Sequence, residues 1–68
     1  MGESLLNTLK SERERLGLTQ AALAEAVGVS RKTINTVENG VFLPSTLLAL
    51  KLARALDRSV EMLFQLTD

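Results

Sequence analysis

Sixty-eight residues allow one small domain (residues 1–68), near the lower size limit for an unaided hydrophobic core. Apolar residues make up 46% of the chain, yet there are only two Phe and no Trp or Tyr. The core must therefore be built from Leu, Val, Ile and Ala, which suits packed helices better than a sheet. With no Cys and no His, disulfides, thiolate zinc sites and imidazole acid–base catalysis are excluded. Eight basic residues balance eight acidic ones, so any polyanionic partner must be met by a local cationic patch. No apolar run approaches the roughly 18 residues of a membrane span, and Leu5-Leu6 is too brief for a secretion signal. A cytoplasmic chain with no cofactor, no metal and no membrane association is expected.

The first predicted helix covers residues 2–17, with Ser4 as N-cap and Gly17 as a left-handed terminator. Leu5 or Leu6, Leu9, Arg13 and Leu16 recur at helical spacing and mark its inner face, while Lys10, Glu12, Glu14 and Arg15 take the solvated side. Arg13 is the one charge on the inner face, and the residues alone leave it free to snorkel to solvent. Thr19 caps a second helix, and Leu18 with Leu23 has the spacing of a hydrophobic staple. Gly28 ends that helix after Val27. Ser30 caps a third, with Val29 and Ile34 repeating the staple, and this helix runs to about Asn39 before Gly40. Pro44 and Ser45 set the start of a fourth helix over residues 46–56, with Ala49, Leu52, Ala53 and Leu56 as its stripe. Ser59 caps a short fifth helix through Leu66, with Glu61 in its first turn complementing the helix dipole.

Residues 20–40 carry the functional signal. Two short capped helices separated by one glycine turn have small or apolar residues (Leu23, Ala24, Val27, Ile34 and Val37) where a steep crossing needs them. Arg31, Lys32, Asn35 and Thr36 remain on the outer face of the third helix. These side chains can read base edges: Arg or Lys at guanine O6 and N7, Asn at adenine, and the Thr methyl against thymine. Gln20, at the start of the second helix, is placed to meet a backbone phosphate.

Leu9, Arg13, the run from Leu16 through Gln20, Leu23-Ala24, Gly28-Val29-Ser30, Thr33-Ile34, Glu38-Asn39-Gly40, Pro44-Ser45 and Leu52-Ala53 stand at consistent spacing. In these residues the chain resembles the Cro/C1-type, or XRE-like, helix-turn-helix regulators. The resemblance implies an all-α, compact five-helix bundle of the lambda-repressor-like DNA-binding type that binds a pseudo-palindromic double-stranded DNA operator as a homodimer. It assigns base reading to Arg31, Lys32 and Thr36, with Asn35 beside them, and phosphate contact to Gln20, Ser30, Thr33 and Asn39. It also implies an ion pair between Arg13 and Glu38. The chain departs from the pattern at Asp57, where the family often has Gly, and at Thr46, where an apolar residue is usual. Its Val41-Phe42-Leu43 connector is also more apolar than the basic one common in repressors.

Arg31 and Lys32 oppose the helix dipole, a cost of about 0.3–1 kcal/mol each that an anionic phosphate backbone would offset. Met62, Leu66 and Leu47 are surplus to one small core and are the candidates for a two-fold dimer contact. No nucleophile–base pair can be assembled without His or Cys, so an enzyme is not expected. The expectation is a sequence-specific transcriptional repressor. The alternative is an antitoxin or bridging module that binds a protein partner through the fifth helix.

Overall fold

Short hydroxyl side chains decide where most of the helices begin. In the computed structural model, which describes residues 4–67, Thr19, Ser30, Ser45 and Ser59 each accept a hydrogen bond from the amide three residues on. A cap of this kind contributes about 1 kcal/mol. The helices that follow are α1 (Leu9–Arg15), α2 (Gln20–Val27), α3 (Arg31–Glu38), α4 (Thr46–Leu56) and α5 (Val60–Leu63). The helix ends are equally regular. After α2, Gly28 turns left-handed at φ 77, its amide bonds the Glu25 carbonyl, and the Val29 amide reaches back to Ala24. This paired Schellman arrangement satisfies carbonyls that the helix would otherwise leave open. Nothing lies within 4 Å of where a Gly28 Cβ would stand, so backbone conformation alone, not crowding, demands glycine there. Asp57 ends α4 in the same manner at φ 55, being the one non-glycine residue with positive φ among those described.

The two ends of the chain correct the sequence expectation. Where the first helix is expected over residues 2–17, a strand, β1 (Ser4–Asn7), precedes α1, so no helix begins after Ser4; the expected start at residue 2 lies outside the described residues. The expected run of the fifth helix to Leu66 stops at Leu63, and β2 (Phe64–Thr67) continues from it. The two strands pair antiparallel with Leu5 opposite Leu66 and Asn7 opposite Phe64. The fold is therefore five helices plus a two-stranded sheet, rather than strictly all-α.

Side chains and backbone stitch this sheet to the bundle, which matters because an isolated pair of short strands is marginal in water. The Thr8 amide donates to the Leu63 carbonyl at 2.9 Å, and the Thr8 hydroxyl to Met62 at 2.8 Å. Asn7 does the work expected of Ser4. Its Oδ1 accepts from the Leu9 amide at 2.9 Å, while its Nδ2 donates to the Val37 carbonyl at 2.6 Å and holds α3.

The core is Leu9, Leu23, Ala24, Val27, Ile34, Val37, Leu48, Leu52, Leu56 and Leu63. The α4 stripe is Leu48, Leu52 and Leu56, not the expected Ala49, Leu52, Ala53 and Leu56; the alanines sit half-buried at its flank. Leu16, expected on the inner face, is exposed because α1 ends at Arg15 and the chain turns through Gly17.

Candidate nucleic-acid interface

Opposite faces of α3 have opposite chemistry. Ile34 and Val37 are buried against α2 and the rest of the core, whereas Arg31, Lys32, Asn35 and Asn39 are exposed. Thr33, Thr36 and Glu38 lie half-buried between them. At helical spacing the outer residues form two adjacent rows, Arg31–Asn35–Asn39 and Lys32–Thr36. All four expected base readers therefore share one face.

An ionic network fixes the orientation of that face. Arg13 is 8% exposed and donates from Nε to Glu38 Oε2 at 2.6 Å and from Nη2 to Glu38 Oε1 at 3.3 Å. Its Nη1 reaches the Leu18 carbonyl at 2.8 Å. Gln20 Nε2 donates to Glu38 Oε1 at 3.0 Å, so α1, the start of α2 and the end of α3 meet at one carboxylate, and Arg13 ties in the loop before α2. The hydrogen bonds that Arg13 donates to Glu38 hold its guanidinium above its ordinary pKa against the opposing effect of burial. No buried side-chain N or O atom among the described residues is left without a partner.

Where the charges stand, rather than their sum, gives a chain of zero net charge a cationic edge. Glu38 engages Arg13, and Glu12 engages both Arg15 at 2.6 Å and Arg58 at 3.1 Å. Arg31 and Lys32 form no ion pair among the described residues, and no acid stands in the first turn of α3. Other side chains on this face are held by local bonds. Ser30 and Thr33 hydroxyls lie 3.0 Å apart, the Thr36 hydroxyl donates to the Thr33 carbonyl at 2.9 Å, and Asn39 Nδ2 donates to Asn35 Oδ1 at 3.2 Å. Thr36 thus turns its hydroxyl hydrogen inward. Gln20 stands at the first position of α2, with its amide nitrogen occupied by Glu38.

The expected dimer residues Met62, Leu66 and Leu47 are all exposed. Leu47 opens on a hollow beside Val29 and Phe42, next to the turn between α2 and α3. Leu66 lies opposite Leu5 in the sheet, and Leu5 lines a different hollow of about 480 Å³ with Leu43, Leu50, Val60 and Phe64. No charged side chain lines that second hollow. Reading the chain as helical at both ends hid this surface, since Leu5 and Leu66 are brought together only by strand pairing. The alternation of Phe64-Gln65-Leu66-Thr67 was the available signal.

Known proteins share this arrangement. A family model described as helix-turn-helix matches residues 9–63. An uncharacterized HTH-type transcriptional regulator of Bacillus subtilis, YgzD, is 42% identical over 62 residues, covering 91% of this chain and 94% of its own. One from Methanothermobacter thermautotrophicus is 48% identical over 61 residues, with 88% of each chain covered. Among solved structures, the restriction-modification controller protein C.AhdI from Aeromonas hydrophila superposes with a TM-score of 0.74 at 38% identity, covering 78% of this chain and 80% of its own. The clp gene regulator ClgR from Corynebacterium glutamicum gives 0.76 at 34% identity, covering 81% of this chain and 58% of its own. With the family model matching most of the chain and relatives above 40% identity, the chain belongs to the Cro/C1-type helix-turn-helix family of transcriptional regulators.

Proposed function

We propose that the protein is a sequence-specific double-stranded DNA-binding repressor that places α3 in the major groove of a pseudo-palindromic operator. One observation carries the reading. The only cations on α3, Arg31 and Lys32, are exposed and unpaired beside Asn35 and Thr36, on a helix whose C-terminal end is held through Glu38 by Arg13 and Gln20. Arg and Lys suit guanine O6 and N7, and the outward methyl of Thr36 suits the thymine methyl. Gln20, Ser30, Thr33 and Asn39 surround this edge and are assigned to phosphates, which set register without reading sequence. With so few cations at the interface, log affinity should fall with log salt less steeply than for strongly basic regulators.

The operator is read by two copies. One α3 touches too few base pairs to discriminate alone, and a two-fold pair would set its recognition helices about 34 Å apart, one turn of B-DNA. The uncharged hollow around Leu43 and Leu50, continued by Leu5 and Leu66, supports a second copy as its occupant. An apolar patch without charges is self-complementary about a two-fold axis. The same patch is what favours the second reading, in which an antitoxin or bridging module uses α5 and its flank to hold a different protein. Sedimentation of the pure protein separates them, a dimer supporting the repressor and a monomer the partner module. The test of DNA reading is selection from a random duplex pool followed by anisotropy titration; binding without sequence preference at about 50 mM salt would sink it.

A further inference from the structure

Two tethers fix the last turn of α3, and they come from different parts of the fold. Glu38 is held by Arg13 and Gln20, within the bundle. The neighbouring Val37 carbonyl is held from the sheet, where Asn7 Nδ2 donates to it at 2.6 Å. That carbonyl also accepts from the Gly40 amide at 3.1 Å, so Asn7 fills its second lone pair. The Asn7 amide can point only one way. Its Oδ1 takes the Leu9 amide at 2.9 Å, and flipping it would set N–H against N–H and oxygen against oxygen. Asn7 pairs with Phe64 in the sheet and crosses a hollow of about 190 Å³, lined by Leu5 and Phe64 on one side and by Val37, Gly40 and Phe42 on the other. Side-chain packing between the sheet and α3 is incomplete at this hollow. A directional hydrogen bond, rather than close-packed contact, therefore sets how α3 stands against the sheet there.

The sheet is also where the second copy is proposed to sit, through Leu5, Leu66 and the hollow beside them. We infer that Asn7 is a positioning residue for operator spacing. It carries the seat of the dimer contact into the angle of α3, so that the paired recognition helices meet half-sites at one separation. This rests on the homodimeric DNA-binding reading above. Arg31 lies six residues from Val37, about 9 Å along the helix, so a small tilt at the Val37 end displaces the reading side chains. One added base pair moves a half-site by about 3.4 Å and turns it by about 35°. Helices held rigidly to a shared contact cannot follow that change, whereas helices freed at Val37 can.

The test is anisotropy titration of the full chain and two variants against three duplexes. These are the operator selected from a random pool, the same operator with one base pair added between its half-sites, and a single half-site. Asn7→Ser keeps an acceptor for the Leu9 amide but is too short to reach Val37. Asn7→Asp keeps that acceptor and sets an oxygen against the Val37 carbonyl. Circular dichroism melting and sedimentation establish whether each variant is folded and dimeric. The unsubstituted protein should prefer the selected spacing by about tenfold and each variant by less than about threefold, with affinity for the single half-site unchanged. A purely structural role would weaken binding to all three duplexes alike and leave the spacing ratio as it was. A spacing preference that persists in a folded, dimeric variant overturns the inference. Loss of dimerisation does so too, since Asn7 would then belong to the contact itself, as does loss of folding in both variants, since the bond would then hold the fold rather than the angle. If the unsubstituted protein selects only a single half-site, the homodimeric reading fails first and the inference falls with it.

Discussion

Arg13 shows how one residue joins stability to function. Its guanidinium makes two bonds to Glu38 and one to the Leu18 carbonyl from an almost buried position. Replacing Glu38 with Ala would strand that charge and release Gln20, and should cost about 3–5 kcal/mol. That is a large share of the stability of a domain this size. Thermal unfolding should register it as a fall of roughly 4–8 °C per kcal/mol, and a fall of less than about 5 °C would contradict the network. Asp57 offers the opposite case. It holds a left-handed conformation at φ 55 that glycine adopts without a Cβ clash, so Asp57→Gly should stabilise by about 0.5 kcal/mol and raise the melting temperature by about 2–4 °C. An unchanged or lower melting temperature would show that Asp57 contributes something beyond its backbone shape.

Helices with a cap at one end and a left-handed residue at the other were legible in the sequence, because these signals are local. Thr19 with Gly28, and Ser45 with Asp57, bound α2 and α4 as their spacing predicts. The strands were not legible, because four residues such as Ser4-Leu5-Leu6-Asn7 gain their hydrogen bonds from a partner at the far end of the chain. Asn7 escaped notice for a similar reason, since its bond to the Val37 carbonyl spans thirty positions. The links of α1 were also hidden. Arg15 reaches the Leu56 carbonyl at the end of α4, and Glu12 holds both Arg15 and Arg58. The hydrogen bond from Arg15, aided by Arg58, draws the Glu12 carboxyl below its ordinary value of 4.5. A lowered folded-state pKa gives stability that is complete above pH 4.5 and lost as pH falls below it through the lowered value. Glu12→Gln should therefore flatten the acid side of the stability curve in that window. A titration of unfolding between pH 5 and about 3 tests this, and an acid limb as steep as the parent's would contradict it.

For the whole molecule, the consequence of strand pairing is a surface as well as an edge. Leu5 and Leu66 meet in the sheet, and the hollow beside them holds Leu43 and Leu50, which are 69% and 56% exposed. In the proposed two-fold contact, Leu50→Glu would place a charge in each copy. It should shift the protein from dimer to monomer in sedimentation, by at least tenfold in dissociation constant, with little change in helicity. A dimer that survives this substitution would move the contact elsewhere. The charge pattern bears more directly on function. Glu38 pairs with Arg13, and Arg15 and Arg58 share Glu12, while the start of α3 keeps two unpaired cations that the helix dipole disfavours. The double substitution Arg31→Ala, Lys32→Ala should thus leave the fold intact and make it slightly more stable, by about 0.3–1 kcal/mol per residue, while removing the reading edge. The decisive measurement is an anisotropy titration of the parent and this variant against a selected duplex and its scrambled counterpart at about 50 mM salt. The parent should prefer the selected duplex, and the folded variant should lose roughly hundredfold in affinity for it. Equal binding of both duplexes by the parent, or undiminished binding by the variant, would contradict the DNA-binding reading.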